Sequence, residues 1–257
     1  MKSKLEETKF LKLLADTWPS KEIIKFGSWT IRTSDGAGKR ASAISLDGIW
    51  EESSFKELKT LLQKMNKSEI FLIYQSDSLI EKELEKLNYQ IFDQSFIFEI
   101  AVQELIKNKP PPVSMFSIWP PLQIQRELWD SNGIGKQRQA VMNRVIQSKT
   151  SILGRWKDNP VASAFVAKSG DVAFLHALVV DKNFRQQGVG KALMQHAGQW
   201  AYSHNCKKLM VVTTAANTAA NNLYTSLEFQ LVNKYHCLLY TSPSPRDQRG
   251  SRMPSSA

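Results

Sequence analysis

Cysteine is scarce in this 257-residue chain, which holds two, Cys206 and Cys237. Neither sits in a metal-ligand spacing, and two such thiols build no disulfide framework. Long apolar runs are missing as well, so no segment has the ~20 apolar residues that a membrane helix needs. The opening Met1-Lys2-Ser3-Lys4-Leu5-Glu6-Glu7 mixes charges and lacks an apolar signal region. These absences lead to the expectation of a cytoplasmic protein with no membrane partner. Runs of five or more like charges are absent too. The net charge of +10 therefore suits a phosphate-rich ligand or solubility, and no nucleic-acid partner is expected. Catalytic motifs are few. There is no Gly-x-Ser-x-Gly elbow, and His196, His204 and His236 show no metal-like spacing with acidic partners, so no metal is expected. The run Gly36-Ala37-Gly38-Lys39-Arg40 fails as a phosphate loop, because Arg40 replaces the Ser/Thr and Thr33 replaces the first glycine.

What is present is the composition of a globular protein, 42% hydrophobic and 23% charged. Three successive prolines, Pro110 to Pro112, favour a stiff extended connector and cannot continue a helix. The expected division is an N-terminal lobe over residues 1–106, a proline-rich linker over 107–114, a second domain over 115–240, and a tail over 241–257. The tail has no aromatic residue and no periodic apolar pattern, so it has no face to bury. It resembles translated adaptor or vector sequence, and the foreign segment is expected to begin at Cys237 at the earliest.

Periodicity in the N-lobe reads as helix (Leu5–Trp18), strands (Ser28–Thr33, Arg40–Leu46), helix (Phe55–Met65), strand (Ile70–Gln75), helix (Leu79–Leu87) and strand (Tyr89–Ile100). The C-terminal lobe reads as two helices (Leu122–Ser131, Lys136–Ser148), three strands (Ser151–Trp156, Ala162–Lys168, Val172–Val180), helix (Gly190–Ser203), strand (Lys208–Thr213), helix (Thr218–Leu227) and strand (Phe229–Leu238). A faint echo joins the halves. Phe71–Gln75, a helix and Leu87-Asn88-Tyr89 resemble Leu209–Thr213, a helix and Leu227-Glu228-Phe229. Either a duplicated lobe or the generic look of any strand-helix-strand unit accounts for it.

The sharpest signal is Val179-Val180-Asp181-Lys182-Asn183-Phe184-Arg185-Gln186-Gln187-Gly188-Val189-Gly190-Lys191. An apolar strand ends, a polar loop with two glycines follows, and an amphipathic helix begins. Free amides at a helix N-terminus hold an anion, and glycine lets the backbone approach a phosphate closely. Arg185 and Lys191 add charge. The Gly-x-Gly-x-x-Gly spacing of a dinucleotide loop is absent. Further on, Asn217 suits a helix N-cap, and Tyr224 lies two turns down the same helix on much the same face.

Together these segments resemble the GCN5-related N-acetyltransferase (GNAT) superfamily. The loop resembles its Arg/Gln-x-x-Gly-x-Gly/Ala motif, and Asn217 to Phe229 resembles its Asn…Ala…Leu-Tyr…Leu-Gly-Phe segment, with Glu228 where glycine is usual. The resemblance covers residues 115–235. It implies an α/β (α+β) fold, with a central mixed, mostly antiparallel sheet flanked by helices and a smaller, degenerate GNAT-like N-lobe that binds no cofactor.

It also implies acetyl-coenzyme A as donor, held by Arg185, Gln186, Gln187, Gly188, Val189, Gly190, Lys191 and Asn217 and by the backbone of Leu178, Val179 and Val180. Tyr224 matches the tyrosine that protonates or orients the departing thiolate. His176 is the candidate base. It stands two residues before Leu178 and shares its face if the strand is regular. Water is the alternative proton route. Trp119, Trp129, Trp156 and Trp200 line a pocket or pack in the core. The expected activity is acetyl transfer to a primary amine of a small molecule or amino acid, by a monomer or homodimer. Protein acetylation and non-catalytic acetyl-coenzyme A binding are the alternatives.

Overall fold

The computed structural model describes residues 4–74, 77–107 and 114–240, excepting the side chains of residues 4–7. Residues 108–113 of the proline-rich linker and the tail over 241–257 lie outside the described residues. The N-terminal half comprises α1 (Lys4–Thr17), β1 (Glu22–Phe26), β2 (Trp29–Thr33), α2 (Lys39–Ser42), β3 (Ile44–Leu46), α3 (Glu52–Lys64), β4 (Ile70–Tyr74), α4 (Ser78–Lys86), β5 (Tyr89–Ala101) and α5 (Val102–Ile106). After the linker come β6 (Ser114–Ile118), α6 (Gln123–Asp130), α7 (Lys136–Arg144), β7 (Lys149–Trp156), β8 (Asn159–Ser169), β9 (Val172–Val180), α8 (Val189–Ser203), β10 (Lys208–Thr214), α9 (Thr218–Ser226) and β11 (Gln230–Tyr240).

All eleven strands form one sheet in the order β1-β2-β3-β4-β11-β5-β10-β9-β8-β7-β6. Pairing is mostly antiparallel, and β3–β4 and β9–β10 are parallel. The fold is the expected mixed α/β sheet flanked by helices, but neither half keeps its own strands to itself. The last strand, β11, sits between β4 and β5, and β5 sits between β11 and β10. Each half thus completes the other's sheet.

The echo in the sequence corresponds to one structural unit used twice. In β4-α4-β5 and in β10-α9-β11, a strand leads through a short helix to a strand that crosses into the other half. Ile70 pairs with Leu239 as Leu209 pairs with Ile100. The helix-to-strand turns also match, with Asn88 at φ 66° and Glu228 at φ 63°. Glu228 therefore takes the left-handed backbone that glycine adopts without penalty, and this turn is kept despite the substitution.

Period-two alternation along the central strands sorts three cores. In β4, Phe71 and Ile73 face α3 and α4, while Leu72 and Tyr74 join the core on the opposite face. That opposite core is shared by both halves. It holds α1 through Phe10 and Leu14, with Trp18 continuing their four-residue spacing just beyond the helix, together with Leu128 and Trp129 of α6 and Met142 of α7. On the other face of the sheet, α8 and α9 cover β8 to β10 with Leu193, Ala197 and Tyr224.

Several elements depart from the periodicity reading. The expected strand over 40–46 divides into the single turn α2 and the short β3, while β1, α5 and β6 had no periodic signal of their own. These are short or edge elements, whose conformation depends on partners distant in sequence. The earliest boundary expected for the foreign segment falls inside β11, where Cys237 pairs with Leu72 and with Phe92 and Leu238 is fully buried.

Candidate active site

The loop between β9 and α8 forms from local rules. The Asp181 side chain accepts a 2.8 Å hydrogen bond from the Asn183 amide, opening a short 3-10 turn over Lys182–Phe184. Gln187 Nε2 donates to the Asn183 carbonyl at 3.0 Å. Gly188, at φ 82°, is the N-cap of α8, a left-handed position that favours glycine. No side chain caps the helix, and its first turn, beginning Val189, Gly190, Lys191, carries no acidic residue. A fifteen-residue helix thus presents its amides and positive dipole end uncapped.

The other loop residues divide by role. Gln186 is left-handed at φ 59°, and Gln186, Gln187 and Lys191 are exposed. Arg185 Nε donates to the Val180 carbonyl at 3.1 Å, and its Nη2 approaches Asn132 Oδ1 at 3.4 Å, so it braces the end of β9 against the α6–α7 turn. Val189 is buried beneath the helix. Gly190 also meets a packing need: a Cβ there would come within 3.2 Å of Leu223 on α9, so glycine lets the two helices pack closely.

The strand leading into this loop leaves its neighbour. The β9–β10 ladder runs from Val172↔Lys208 to Leu175↔Val211 and stops. Beyond it, β10 keeps pairing with β5 as far as Thr214↔Ser95, while β9 follows β8 to Val180↔Ala162. A slot therefore opens between β9 and β10, flanked by His176, Ala177, Leu178, Val179 and Val180. At its start Ala177 has φ 53°, where the β8–β9 register shifts, and the buried Trp129 donates from Nε1 to the Ala177 carbonyl at 2.9 Å. This is a β-bulge pinned by a core tryptophan.

The bulge corrects the expected geometry of His176. An extra residue reverses the alternation, so Leu178 packs with the α8–α9 core while Val179 returns to the α1–α6 face. His176 and Leu178 lie on opposite faces of the sheet. His176 is buried among Trp18, Phe165 and Phe174, with ring centroids 4.9, 6.3 and 5.9 Å away. Its Nε2 lies 3.1 Å from Thr17 Oγ1, whose own hydrogen reaches the carbonyls of Leu13 or Leu14. With the hydroxyl hydrogen on those carbonyls, Nε2 is the donor to Thr17 and Nδ1 carries the free lone pair; with the hydroxyl donating to Nε2, the tautomer reverses. Burial first, and then the Arg40 charge, hold the imidazole pKa well below its usual value.

On the same face of the sheet, a cavity of about 350 Å³ lies against the slot, lined by His176 and Ala177 of β9 and by Val212 and Thr214 of β10. The N-terminal half supplies other walls: Trp18 just after α1, the 37–40 segment, and Asp93 and Ser95 of β5. Tyr235 and Cys237 of β11 and Arg138 of α7 complete it. Lys39 and Asp93 form a 2.6 Å ion pair. Burial, then Asp93, pushes the Cys237 thiol up to about 11, which leaves it protonated and poorly nucleophilic near neutrality. Trp119, Trp129, Trp156 and Trp200 do not line this cavity; Trp18 does. The cavity residues from the N-terminal half gave no signal, apart from the 36–40 run discounted as a phosphate loop.

Tyr224 and Asn217 sit on the other face. The Asn217 side chain caps α9 by accepting from the Ala220 amide at 3.1 Å. Tyr224 is buried between Phe98 and Phe229, with ring centroids 5.8 and 5.7 Å away, and burial raises its phenol pKa. It therefore keeps its proton at neutral pH. Among the described residues no group of three or more His, Cys, Asp or Glu side chains is arranged to hold a metal ion, and no helix is long and apolar enough to cross a membrane.

Residues 119–229 match the family model of the acetyltransferase (GNAT) family. Over 69 residues the chain is 35% identical to an aminoglycoside N(6')-acetyltransferase type 1 of Klebsiella aerogenes. That match covers 27% of this chain and 45% of the relative, so it spans less than half of the relative's length. Among solved structures, a GCN5-related N-acetyltransferase from Kribbella flavida superposes with a TM-score of 0.69 at 14% identity, over 93% of this chain and 97% of that one. A tandem GNAT protein from the clavulanic acid biosynthesis pathway superposes with a TM-score of 0.62 at 11% identity, over 82% and 77%.

Proposed function

We propose, from the membership of residues 119–229 in the acetyltransferase (GNAT) family, that this chain is an N-acetyltransferase moving an acetyl group from acetyl-coenzyme A to a primary amine of a small molecule. The observation that carries the reading is the slot between β9 and β10, which lies between the uncapped end of α8 and a partly enclosed cavity on the opposite face. The chain's own groups fit the donor. Free amides of α8, with Gly188 in place of a capping side chain, suit a pyrophosphate, and the unpaired edge of β9 suits an amide-bearing arm. The donor supplies an activated thioester acetyl.

In this reading the backbone of residues 178–180 orients the donor arm, and the cavity holds the amine against the slot. Tyr224, protonated at neutral pH, hands its proton to or orients the departing thiolate. Cys237 stays a thiol, which favours direct attack by the amine over an acyl-cysteine. His176 is neutral and weakly basic, so it serves as a base only through Nδ1 and in relay with water; Asp93 is engaged by Lys39. A cavity of about 350 Å³ suits a small acceptor better than a protein surface. The named aminoglycoside enzyme is a relative with a small-molecule acceptor.

The test is calorimetry with acetyl-coenzyme A, followed by a thiol-release screen of amines. One site per chain and turnover with at least one small amine are expected. No binding overturns the reading, and binding without any turnover assigns the chain to a non-catalytic role.

A further inference from the structure

Three cations line the cavity, Lys39, Arg40 and Arg138, against one carboxylate, Asp93. Lys39 and Asp93 satisfy each other at 2.6 Å. The two arginines are left over. Arg40 Nε donates to the Tyr235 hydroxyl at 2.9 Å, a neutral partner, and among the described residues neither Arg40 nor Arg138 meets a carboxylate within ion-pair distance. The two are close enough for Arg40 to lower the Arg138 pKa, after the larger effect of the surrounding protein atoms, and Arg40 likewise lowers those of His176 and Cys237. Arg40 comes from α2 of the N-terminal half and Arg138 from α7 of the C-terminal half, so each half contributes one guanidinium.

Two neighbouring guanidinium groups repel unless an anion bridges them. Their planar donor forks match the oxygen pairs of a carboxylate or phosphate, and in a partly enclosed cavity such charge-assisted bonds are strong. The slot is where the reactive nitrogen belongs, and both arginines line the cavity that lies against it. Resting on the reading of the cavity as the acceptor site, we infer that the acceptor is an anionic amine: a small molecule with a primary amine at one end and a carboxylate or phosphate held between Arg40 and Arg138 at the other. The same excess of positive charge disfavours a polycationic amine such as an aminoglycoside.

The experiment compares acceptors in matched pairs by thiol release: glycylglycine against glycylglycinamide, 2-aminoethyl phosphate against 2-aminoethanol, and kanamycin as a polycation. The anionic member of at least one pair is expected to exceed its neutral partner in kcat/KM, and the better pair identifies the oxyanion. In Arg138→Gln that preference falls about 10- to 100-fold, through KM more than kcat. Arg40→Gln gives the same fall, and Arg138, which is exposed, keeps the test interpretable if the Arg40 variant misfolds. A binding readout runs in parallel: glycylglycine raises the melting temperature of the wild-type protein more than glycylglycinamide does, and Arg138→Gln abolishes the difference. A preference for neutral amines or kanamycin, or an unchanged preference in a folded Arg138→Gln, overturns the inference while leaving acetyl transfer standing. Absence of acetyl-coenzyme A binding strikes the proposed function instead, and the melting-temperature difference then decides whether the cavity still selects anions.

Discussion

The ring of Tyr224 on α9 lies 5.8 Å from that of Phe98 on β5, a strand contributed by the other half of the chain. The residue proposed to face the leaving thiolate is therefore positioned by a strand exchanged between halves. The phenol ring packs in the core, and the proposed chemistry belongs to its hydroxyl, so removing the hydroxyl alone separates the two roles. Tyr224→Phe is expected to lower turnover about 10- to 1,000-fold, somewhat less than a typical lost proton donor because a thiolate can leave unprotonated. Acetyl-coenzyme A affinity by calorimetry changes little, because the packing remains. Full activity in Tyr224→Phe would leave the residue a purely structural role.

His176 makes stability depend on pH with a definite sign. Its folded-state pKa is depressed below the ordinary 6.5 by burial and by Arg40. As pH falls below about 6.5 the unfolded imidazole takes up a proton that the folded one refuses, so this contribution is present above that pH and is lost below it. The slope is at most about 1.4 kcal/mol per pH unit. Urea midpoints at pH 7.5 and pH 5.5 provide the check. His176→Phe, which keeps an aromatic ring among Trp18, Phe165 and Phe174, is expected to show a smaller acid loss than wild type; an equal loss assigns the acid sensitivity to other groups.

The exchanged strands mean that neither half stands alone. Both neighbours of β11, β4 and β5, come from the N-terminal half, and both neighbours of β5 come from the C-terminal half. A chain of residues 114–257 exposes the edges of β10 and β11, and exposed edges aggregate. Expression of that segment by itself is expected to yield insoluble protein, and co-expression with residues 1–107 to restore solubility. A soluble, cooperatively unfolding 114–257 would show that β11 finds a different partner.

Glu228 carries a strain that glycine would relieve. It is exposed, and its φ of 63° places it in the left-handed region. Glu228→Gly is expected to stabilise the protein by about 1 kcal/mol, the cost of a left-handed non-glycine residue, less whatever glycine adds to the entropy of the unfolded chain. The denaturant midpoint measures it, and a lower midpoint would mean that the carboxylate side chain contributes something the turn geometry does not reveal.

The sequence by itself determined whatever depends on near neighbours. The Asn217 cap, the glycine at φ 82° in position 188, the apolar face of α1 and the strand-loop-helix order around Gly188 follow from residues within a few positions of one another, and each was legible as a spacing. Tertiary structure decided what depends on pairing across the chain. No periodicity announces that β5 and β11 change places, because the alternation along a strand is the same whichever partner it pairs with. The bulge at Ala177 escaped for a similar reason: it needs Trp129 to hold its carbonyl, and it alone turns Leu178 away from the face of His176. Arg40 and Arg138 are unremarkable in a chain of net charge +10. Only the folding of α2 and α7 onto one cavity brings their charges together, and electrostatic coupling depends on that distance and not on their separation in sequence.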